Sequence, residues 1–288
     1  MAPEAIPRRA GRDRIRSLRR LLRNTGAIVG GAVVLSFLVA AVLAPLIAPF
    51  DPTAVDWGAV RKPPSALYIL GTDELGRDLL SRLLWGARAS LLAGVVSVAI
   101  GFTVGVPVGL ISGYLGRWVD SVVMRLTDAL LAIPFLILAI ALAAFLGPSL
   151  TNVMIAIGVS TTPIFIRLAR AQTLAVKVEE YVEAAKAIGA SHGIIVLRHV
   201  FPNALPPLLV QATLTIATAI IAEASLSFLG LGQQPPAPSW GSMLNVARNF
   251  MYQAPWMALW PGMAIFLVVL GFNLLGDGLR DALDPRED

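Results

Sequence analysis

Long apolar segments without Asp, Glu, Lys or Arg dominate the chain. Because a helix that crosses a bilayer needs roughly 20 apolar residues, such segments predict membrane-spanning helices. The segments are Asn24–Phe50, Ala89–Gly116, Ala129–Ile166, His199–Ala222 and Asn249–Gly276. The third is too long for one crossing, and Gly147, Pro148 and Ser149 near its centre are typical of a turn. The pattern therefore predicts a helical hairpin there and six spans in all.

The composition agrees with this pattern. Hydrophobic residues make up 56% of the chain and charged residues 14%, whereas soluble domains usually contain about 25% charged residues. We therefore expect an all-α integral membrane protein. The sequence contains no cysteine, which excludes disulfides and thiol nucleophiles. His192 and His199 have no neighbours at metal-ligand spacing, so no metal site is expected.

The basic residues predict the orientation of the chain. Arginines precede the first apolar segment at positions Arg8, Arg9, Arg12, Arg14, Arg16, Arg19, Arg20 and Arg23. Since cytoplasmic flanks carry an excess of Lys and Arg, the amino terminus is expected in the cytoplasm, and six spans return the carboxyl terminus there. The first segment is longer than the roughly 7–15 apolar residues of a signal peptide, so a retained helix is expected.

These boundaries divide the chain into five parts. They are a basic cytoplasmic segment (1–23), a first spanning helix (24–50), an extracytoplasmic loop (51–88), a core of five further spans (89–276) and a cytoplasmic tail (277–288). The core includes a cytoplasmic loop at 171–202. Leu75–Trp85 of the outer loop can form an amphipathic helix along the outer face.

A charged segment separates the fourth and fifth predicted spans. Apolar residues recur at helical spacing at Val178, Tyr181, Val182, Ala185 and Ile188, with Glu179, Glu180, Glu183 and Lys186 opposite. Gly189 ends this helix, and Ser191 can cap a second helix that Pro202 ends. Periodicity alone leaves two interpretations open, a solvated loop on the lipid headgroups or a docking element for a cytoplasmic partner.

The second span carries a stripe of small residues. They are Ala89, Ala93, Ser97, Gly101, Gly105, Gly109 and Gly113. Such a stripe predicts that another helix packs closely against this span, either as a fixed contact or as a moving interface.

The fifth span is mildly polar along one side. Gln211, Thr215 and Thr218 can face a wet cavity or form hydrogen bonds between helices. Glu223, at the outer end, is expected at the interface or in a pair, because a charge at mid-membrane costs roughly 2.5–3.5 kcal/mol. These four residues are candidates for a translocation path, and a structural ion pair is the alternative for Glu223.

Four motifs together resemble one family. They are Glu183-Ala184-Ala185 with Gly189 and Val200-Phe201-Pro202, then the run from Gly71 to Asp78, the run from Glu223 to Gly232 with Pro238-Ser239-Trp240-Gly241, and the run from Gly276 to Pro285. In order and spacing they resemble the C-type permease subunit of ATP-binding-cassette importers for dipeptides, oligopeptides and nickel. The first resembles the EAA loop of these permeases, with Val200-Phe201-Pro202 in place of the commoner Ile-x-Leu-Pro.

The resemblance implies the type I importer permease fold and a set of partners. These are a second homologous permease, two ATP-binding subunits or one fused subunit, and an extracytoplasmic substrate-binding protein, in the inner membrane of a bacterium. The residues expected to couple to the ATPase are Glu183, Ala184, Ala185, Lys186 and Gly189. The residues expected to dock the binding protein or form an outer gate are Asp73, Gly76, Arg77 and Asp78, and a structural cap over the pore is the alternative.

The chain is not expected to be an enzyme. It has no G-x-x-x-x-G-K-[ST] loop, so ATP and Mg²⁺ are expected on the partner subunits, with no cofactor and no catalytic residue here. Nucleic acid is not an expected partner. The implied solute is a di- or oligopeptide, with nickel or another small solute as the alternative. An ion-coupled secondary transporter remains a further alternative, with Glu223 as its only candidate charge.

Overall fold

The structure is a computed structural model that describes residues 21–283. Its α-helices are α1 (Thr25–Ile47), α2 (Leu79–Leu115), α3 (Arg117–Leu131), α4 (Phe135–Leu146), α5 (Leu150–Val176), α6 (Glu180–Ala187), α7 (His192–Ile195), α8 (Phe201–Phe228), α9 (Trp240–Ala247) and α10 (Trp256–Leu283). A π-helical turn, Val196–Val200, joins α7 to α8. In this part of the chain β pairing is limited to one isolated bridge, so the fold is all-helical. Most of the predicted basic segment and the end of the tail lie outside the described residues.

Five helices are long and apolar enough to cross a membrane. They are α1, α2, α5, the continuous helix His192–Phe228, and α10. A sixth span exists if α3 and α4, which bend by 88° at their break, are counted as one. With 12 residues, α4 is only about 18 Å long and does not cross the roughly 30 Å hydrocarbon core by itself. The predicted hairpin turn is present between α4 and α5, and the count of six spans stays a prediction.

Two predicted boundaries are wrong. Leu75–Trp85 is not a separate amphipathic helix, because α2 begins at Leu79 and continues to Leu115. Pro202 does not end a helix either. It lies inside the continuous helix His192–Phe228, directly after the π-helical turn Val196–Val200.

The small-residue stripe of α2 packs against α5, as predicted. All its members are buried except Ala89, which is half-buried. A Cβ atom at Gly105 would lie 2.7 Å from the carbonyl oxygen of Thr162 and 2.8 Å from the Cβ of Phe165. The two helix backbones therefore touch at the centre of the molecule, where only residues without a side chain fit.

α10 packs against both α1 and α8. A Cβ at Gly30 of α1 would lie 2.6 Å from the carbonyl oxygen of Gly271 in α10. On another face of α10, a Cβ at Gly276 would lie 2.7 Å from the Cδ2 of Leu214 in α8. The last turns of α10 are thus level with the early turns of α8.

Candidate functional site

The predicted coupling residues lie on the short helix α6. Val182 and Ala185 are buried in the main apolar core, while Glu183, Ala184 and Lys186 are exposed. This alternation of buried and exposed residues follows from the amphipathic pattern, because only one face of the eight-residue helix is apolar enough to be buried. Gly189, at φ +80°, ends the helix in a conformation that favours glycine.

Polar contacts attach this segment to the end of α2. The ammonium of Lys177 donates a hydrogen bond to the carbonyl oxygen of Gly113 at 2.9 Å. The hydroxyl of Tyr114 lies 3.0 Å from Nδ1 of His192. The charged segment, which follows α5 and leads into α8, is therefore also fastened to α2. A movement of this segment would therefore be transmitted to α2, α5 and α8.

Several large apolar side chains of the segment around α6 are exposed. Ile188 is 85% exposed and Leu197 is 70% exposed. Val178 and Ile194 are exposed as well. Apolar residues gathered in this way next to charged ones are typical of a protein contact surface.

The four predicted path residues do not share one environment. Gln211 lines an open cavity between α5, α8 and α10. Thr215 is buried, and its hydroxyl donates to the carbonyl oxygen of Gln211 at 2.7 Å. Thr218 is exposed two turns further along α8 and does not line this cavity. Of the four residues, only Gln211 lines the cavity, and the path assignment stays a prediction.

Glu223 is enclosed by hydroxyl groups. It is 0% exposed, and the Ser227 hydroxyl donates to its Oε1 at 2.7 Å. Ser90 in α2 and Ser239 before α9 lie near the carboxyl, but its Oε2 accepts no hydrogen bond from the residues that the structure describes. Within residues 21–283 no cation pairs with it, so the expected ion pair is not formed there, and the expected position at the membrane interface stays a prediction.

Backbone amides fix the direction of these hydroxyls. The Ser90 oxygen accepts from the amide of Trp240 at 3.2 Å, and the Ser239 oxygen accepts from the amide of Ser242 at 3.2 Å. Each hydroxyl is left with a hydrogen to donate. The carboxyl of Glu223 thus lies where α2, α8 and the start of α9 meet, and it is hydrogen-bonded to Ser227 of its own helix. Since Ser90 and Ser239 lie far from Glu223 in the chain, their part in this cluster could not be read from spacing.

The outer-loop residues form a buried ion cluster. Arg77 donates to Asp73 at 2.6 Å and to Glu74 at 2.6 Å, and Arg82 lies 3.2 Å from Asp73. Asp78 caps α2 by accepting from the Ser81 amide at 2.8 Å. Burial, followed by the nearby Asp73 charge, raises the pKa of Glu74. These side chains point inward, away from any partner.

The outer loop is also fastened to α10 by tryptophans. The indole N–H of Trp256 donates to the Thr72 carbonyl at 3.2 Å, and that of Trp260 donates to the Leu70 carbonyl at 3.2 Å. Gly76 has φ +77°, and a Cβ there would overlap the carbonyl of Asp56. The arrangement favours the structural-cap interpretation of Asp73, Gly76, Arg77 and Asp78. Contact with a binding protein stays a prediction.

One ion pair was not predicted from the sequence. Arg170 in α5 bonds Asp120 in α3 through two nitrogens, at 2.5 and 2.6 Å. The partners are 50 residues apart, so only the folded helix packing shows the pair. Among the described residues no group of three or more Asp, Glu and His side chains is placed to hold a metal ion.

Two family profiles match the chain. Residues 105–288 match the family described as "Binding-protein-dependent transport system inner membrane component". Residues 15–64 match the "N-terminal TM domain of oligopeptide transport permease C". The two profiles together cover most of the chain.

Individual relatives are similar over nearly the full length. The chain is 47% identical to the dipeptide transport system permease protein DppC of Alkalihalophilus pseudofirmus, over 94% of this chain and 89% of the relative. It is 45% identical to the glutathione transport system permease protein GsiD of Pectobacterium atrosepticum, over 93% and 89%. It is 46% identical to the probable D,D-dipeptide transport system permease protein DdpC of Escherichia coli K12, over 90% and 87%.

Solved structures with a similar fold are inward-facing conformations of the MetNI methionine ABC transporter. One matches with a TM-score of 0.57 and 25% identity, over 70% of this chain and 96% of that chain. Another matches with a TM-score of 0.58 and 24% identity, over 72% and 98%. The family profiles, the relatives and the packing of long apolar helices agree with one another. The chain belongs to the binding-protein-dependent transport system inner membrane components, the permeases of ATP-binding-cassette importers.

Proposed function

We propose that this chain is a permease subunit of an ATP-driven importer for di- and oligopeptides in the bacterial inner membrane. It forms the translocation path with a second, homologous permease. Two ATPase subunits, or one fused subunit, bind ATP and Mg²⁺ and move the path through α6. An extracytoplasmic binding protein delivers the solute. Six spans, with both termini in the cytoplasm, fit the distribution of basic residues.

The observation that carries this proposal is the construction of the segment around α6. It presents Glu183 outward on a helix whose other face is buried by Val182 and Ala185. A carboxylate in this position can pair with an arginine of a partner. Because the segment is joined to α2, α5 and α8, rigid-body motion of a partner would tilt those helices relative to the rest.

The relatives favour a peptide as the solute. Three similar permeases carry the words dipeptide, D,D-dipeptide and glutathione in their names. These compounds share a carboxylate, an ammonium and at least one amide bond. Nickel, which the resemblance also allowed, has none of these groups. An ion-coupled transporter is disfavoured because Glu223 is closed off by hydroxyl groups and lies on no open path.

The test is uptake of a labelled dipeptide by the complete importer in proteoliposomes, with ATP hydrolysis measured in the same vesicles. We expect uptake that requires ATP and the binding protein and that does not respond to ion gradients. Uptake of Ni²⁺ in place of dipeptide would refute the peptide assignment. Uptake driven by a sodium or proton gradient without ATP would refute the whole class.

Variants of Glu183 test the coupling role. Glu183→Arg should leave the complex assembled but abolish the stimulation of ATP hydrolysis by loaded binding protein, because a cation would meet the partner's cation. Glu183→Gln, which keeps the shape and removes the charge, should have an intermediate effect, and Glu183→Asp should be nearly normal. ATP-driven uptake at the normal rate with Glu183→Arg would contradict the docking role.

A further inference from the structure

A partly polar opening lies between α5, the start of α8 and the end of α10. This cavity of about 890 Å³ is lined by Leu168, Gln172, Pro202, Asn203, Pro206, Pro207, Val210, Gln211, Leu214, Arg280 and Leu283. The lining holds three amide side chains and one cation, and no acidic residue. Its volume is within the range of small-molecule sites.

Two backbone carbonyls without an N–H four residues later lie at one end of the cavity. Pro206 and Pro207 have no N–H, so the carbonyls of Pro202 and Asn203 lose their usual partners four residues later. The preceding turn is π-helical, and π turns are frequent at functional sites. Carbonyls released by an irregular helix can receive a cation from a solute, as they do in other transporters.

A cation lies at the other end. Gly276 of α10 is level with Leu214 of α8, and the two helices run in opposite directions. Arg280, one turn further along α10, is therefore level with Val210. It lines the cavity and forms no ion pair with another residue of the described chain. An arginine without a partner is suited to a carboxylate, which it can bind through two N–H groups.

The distance between the carbonyls at one end of the cavity and Arg280 at the other matches the length of a short peptide. Asn203 and Val210 are seven residues apart on α8, which corresponds to roughly 10 Å along a helix axis. An extended di- or tripeptide spans about 7–11 Å. Gln211 and Gln172, which line the same cavity, can bond the peptide amides between the ends.

We propose that this cavity is a binding site for a di- or tripeptide on its way through the membrane. The peptide ammonium rests on the carbonyls of Pro202 and Asn203, and the peptide carboxylate pairs with Arg280. The inference rests on the proposed function, which it deepens by naming the groups that meet the solute. It narrows the predicted path to Gln211, because Thr215, Thr218 and Glu223 lie outside this cavity.

The experiment uses the natural absence of cysteine from the chain. Gln211→Cys places a single thiol of this subunit in the cavity, and Leu209→Cys places one at a similar depth on a residue that does not line it. The complete importer in membrane vesicles is treated with a water-soluble maleimide, with and without dialanine. We expect dialanine to slow the labelling of Cys at 211 and to leave that at 209 unchanged.

Two further arms test the assigned groups. Dialanine carboxamide, which keeps the ammonium and lacks the carboxylate, should protect Cys at 211 poorly. Adding Arg280→Gln should raise the dialanine concentration for half protection by about 10-fold or more, the effect of losing one bond to a charged group. Equal protection by dialanine and its carboxamide, or no effect of Arg280→Gln, would overturn the proposal.

Uptake by the same vesicles separates two kinds of failure. Dialanine uptake by the unmodified importer without protection of Cys at 211 would refute this site and leave the proposed function standing. Absence of any dialanine uptake by the unmodified importer would remove the proposed function, and this site with it. Equal protection at 209 and 211 would show a change of overall shape, which also refutes the site.

Discussion

Close packing of α2 on α5 leads to a strong prediction for Gly105→Ala. The added Cβ would lie 2.7 Å from the Thr162 carbonyl oxygen and 2.8 Å from the Phe165 Cβ, whereas optimal contacts are about 3.5–4.0 Å. A backbone carbonyl cannot rotate away as a side chain can, so the helices must separate. Overpacking of this kind costs about 1–3 kcal/mol. The gain in helix propensity from Gly to Ala, about 1 kcal/mol at most, offsets only part of it.

Gly262→Ala is the matched control. Gly262 also lies inside a spanning helix, α10, but a Cβ there would meet no atom within 4 Å. The control should therefore be neutral or slightly stabilising. Gly94→Ala is an intermediate case, because its Cβ would meet the Ile220 side chain, which can adjust.

The assay is thermal unfolding of the purified importer in detergent, followed by the loss of its monodisperse peak. A net cost of about 1 kcal/mol corresponds to a fall in Tm of about 2–4 °C for a chain of this size. Gly105→Ala should show this fall and Gly262→Ala should not. Equal melting temperatures for the two variants would refute the claim that the α2–α5 backbones are in contact.

Two other predictions concern buried polar groups, both measured by the same assay. Glu223→Leu should destabilise the protein by about 1–3 kcal/mol or more, because it leaves buried hydroxyl donors without an acceptor, and a variant as stable as the parent would contradict the cluster. Arg170→Ala should cost about 1–3 kcal/mol, since it breaks a two-point bond to a partly buried Asp120. Arg167→Ala, whose partner Asp128 is exposed, should stay within about 1 kcal/mol, and an effect as large as that of Arg170→Ala would refute the distinction.

The hydrophobic pattern was sufficient to predict that the chain is a membrane protein and where most of its long helices lie. The first, second, fourth and fifth apolar segments each contain most of one long helix, because a run of apolar residues in a bilayer must satisfy its own backbone groups. The turn at Gly147 was also predictable, since Gly147, Pro148 and Ser149 follow one another in an apolar segment too long for one crossing. The amphipathic pattern located α6, but only Val182 and Ala185 of its predicted apolar face are buried, and Val178, Tyr181 and Ile188 are exposed.

Boundaries near the membrane surface were less predictable. α2 starts at Leu79 because Asp78 caps it and the outer loop packs beneath it, and neither fact appears in a hydropathy pattern. Pro202 was expected to end a helix and instead lies at the start of α8, inside a continuous helix. Proline is found both after the end of a helix and near its start. The position of Pro202 therefore depended on how α7 continues into α8.

The sequence alone determined the all-helical membrane class, the family resemblance and the exposed charge of Glu183, because these depend on local patterns and motif order. Tertiary structure alone decided which polar groups meet. Ser90 and Ser239 lie near Glu223 on separate elements, and Arg280 shares a cavity with Gln211 of another helix. Such contacts arise from the packing of helices distant in the chain, where spacing along the sequence carries no information about distance in space.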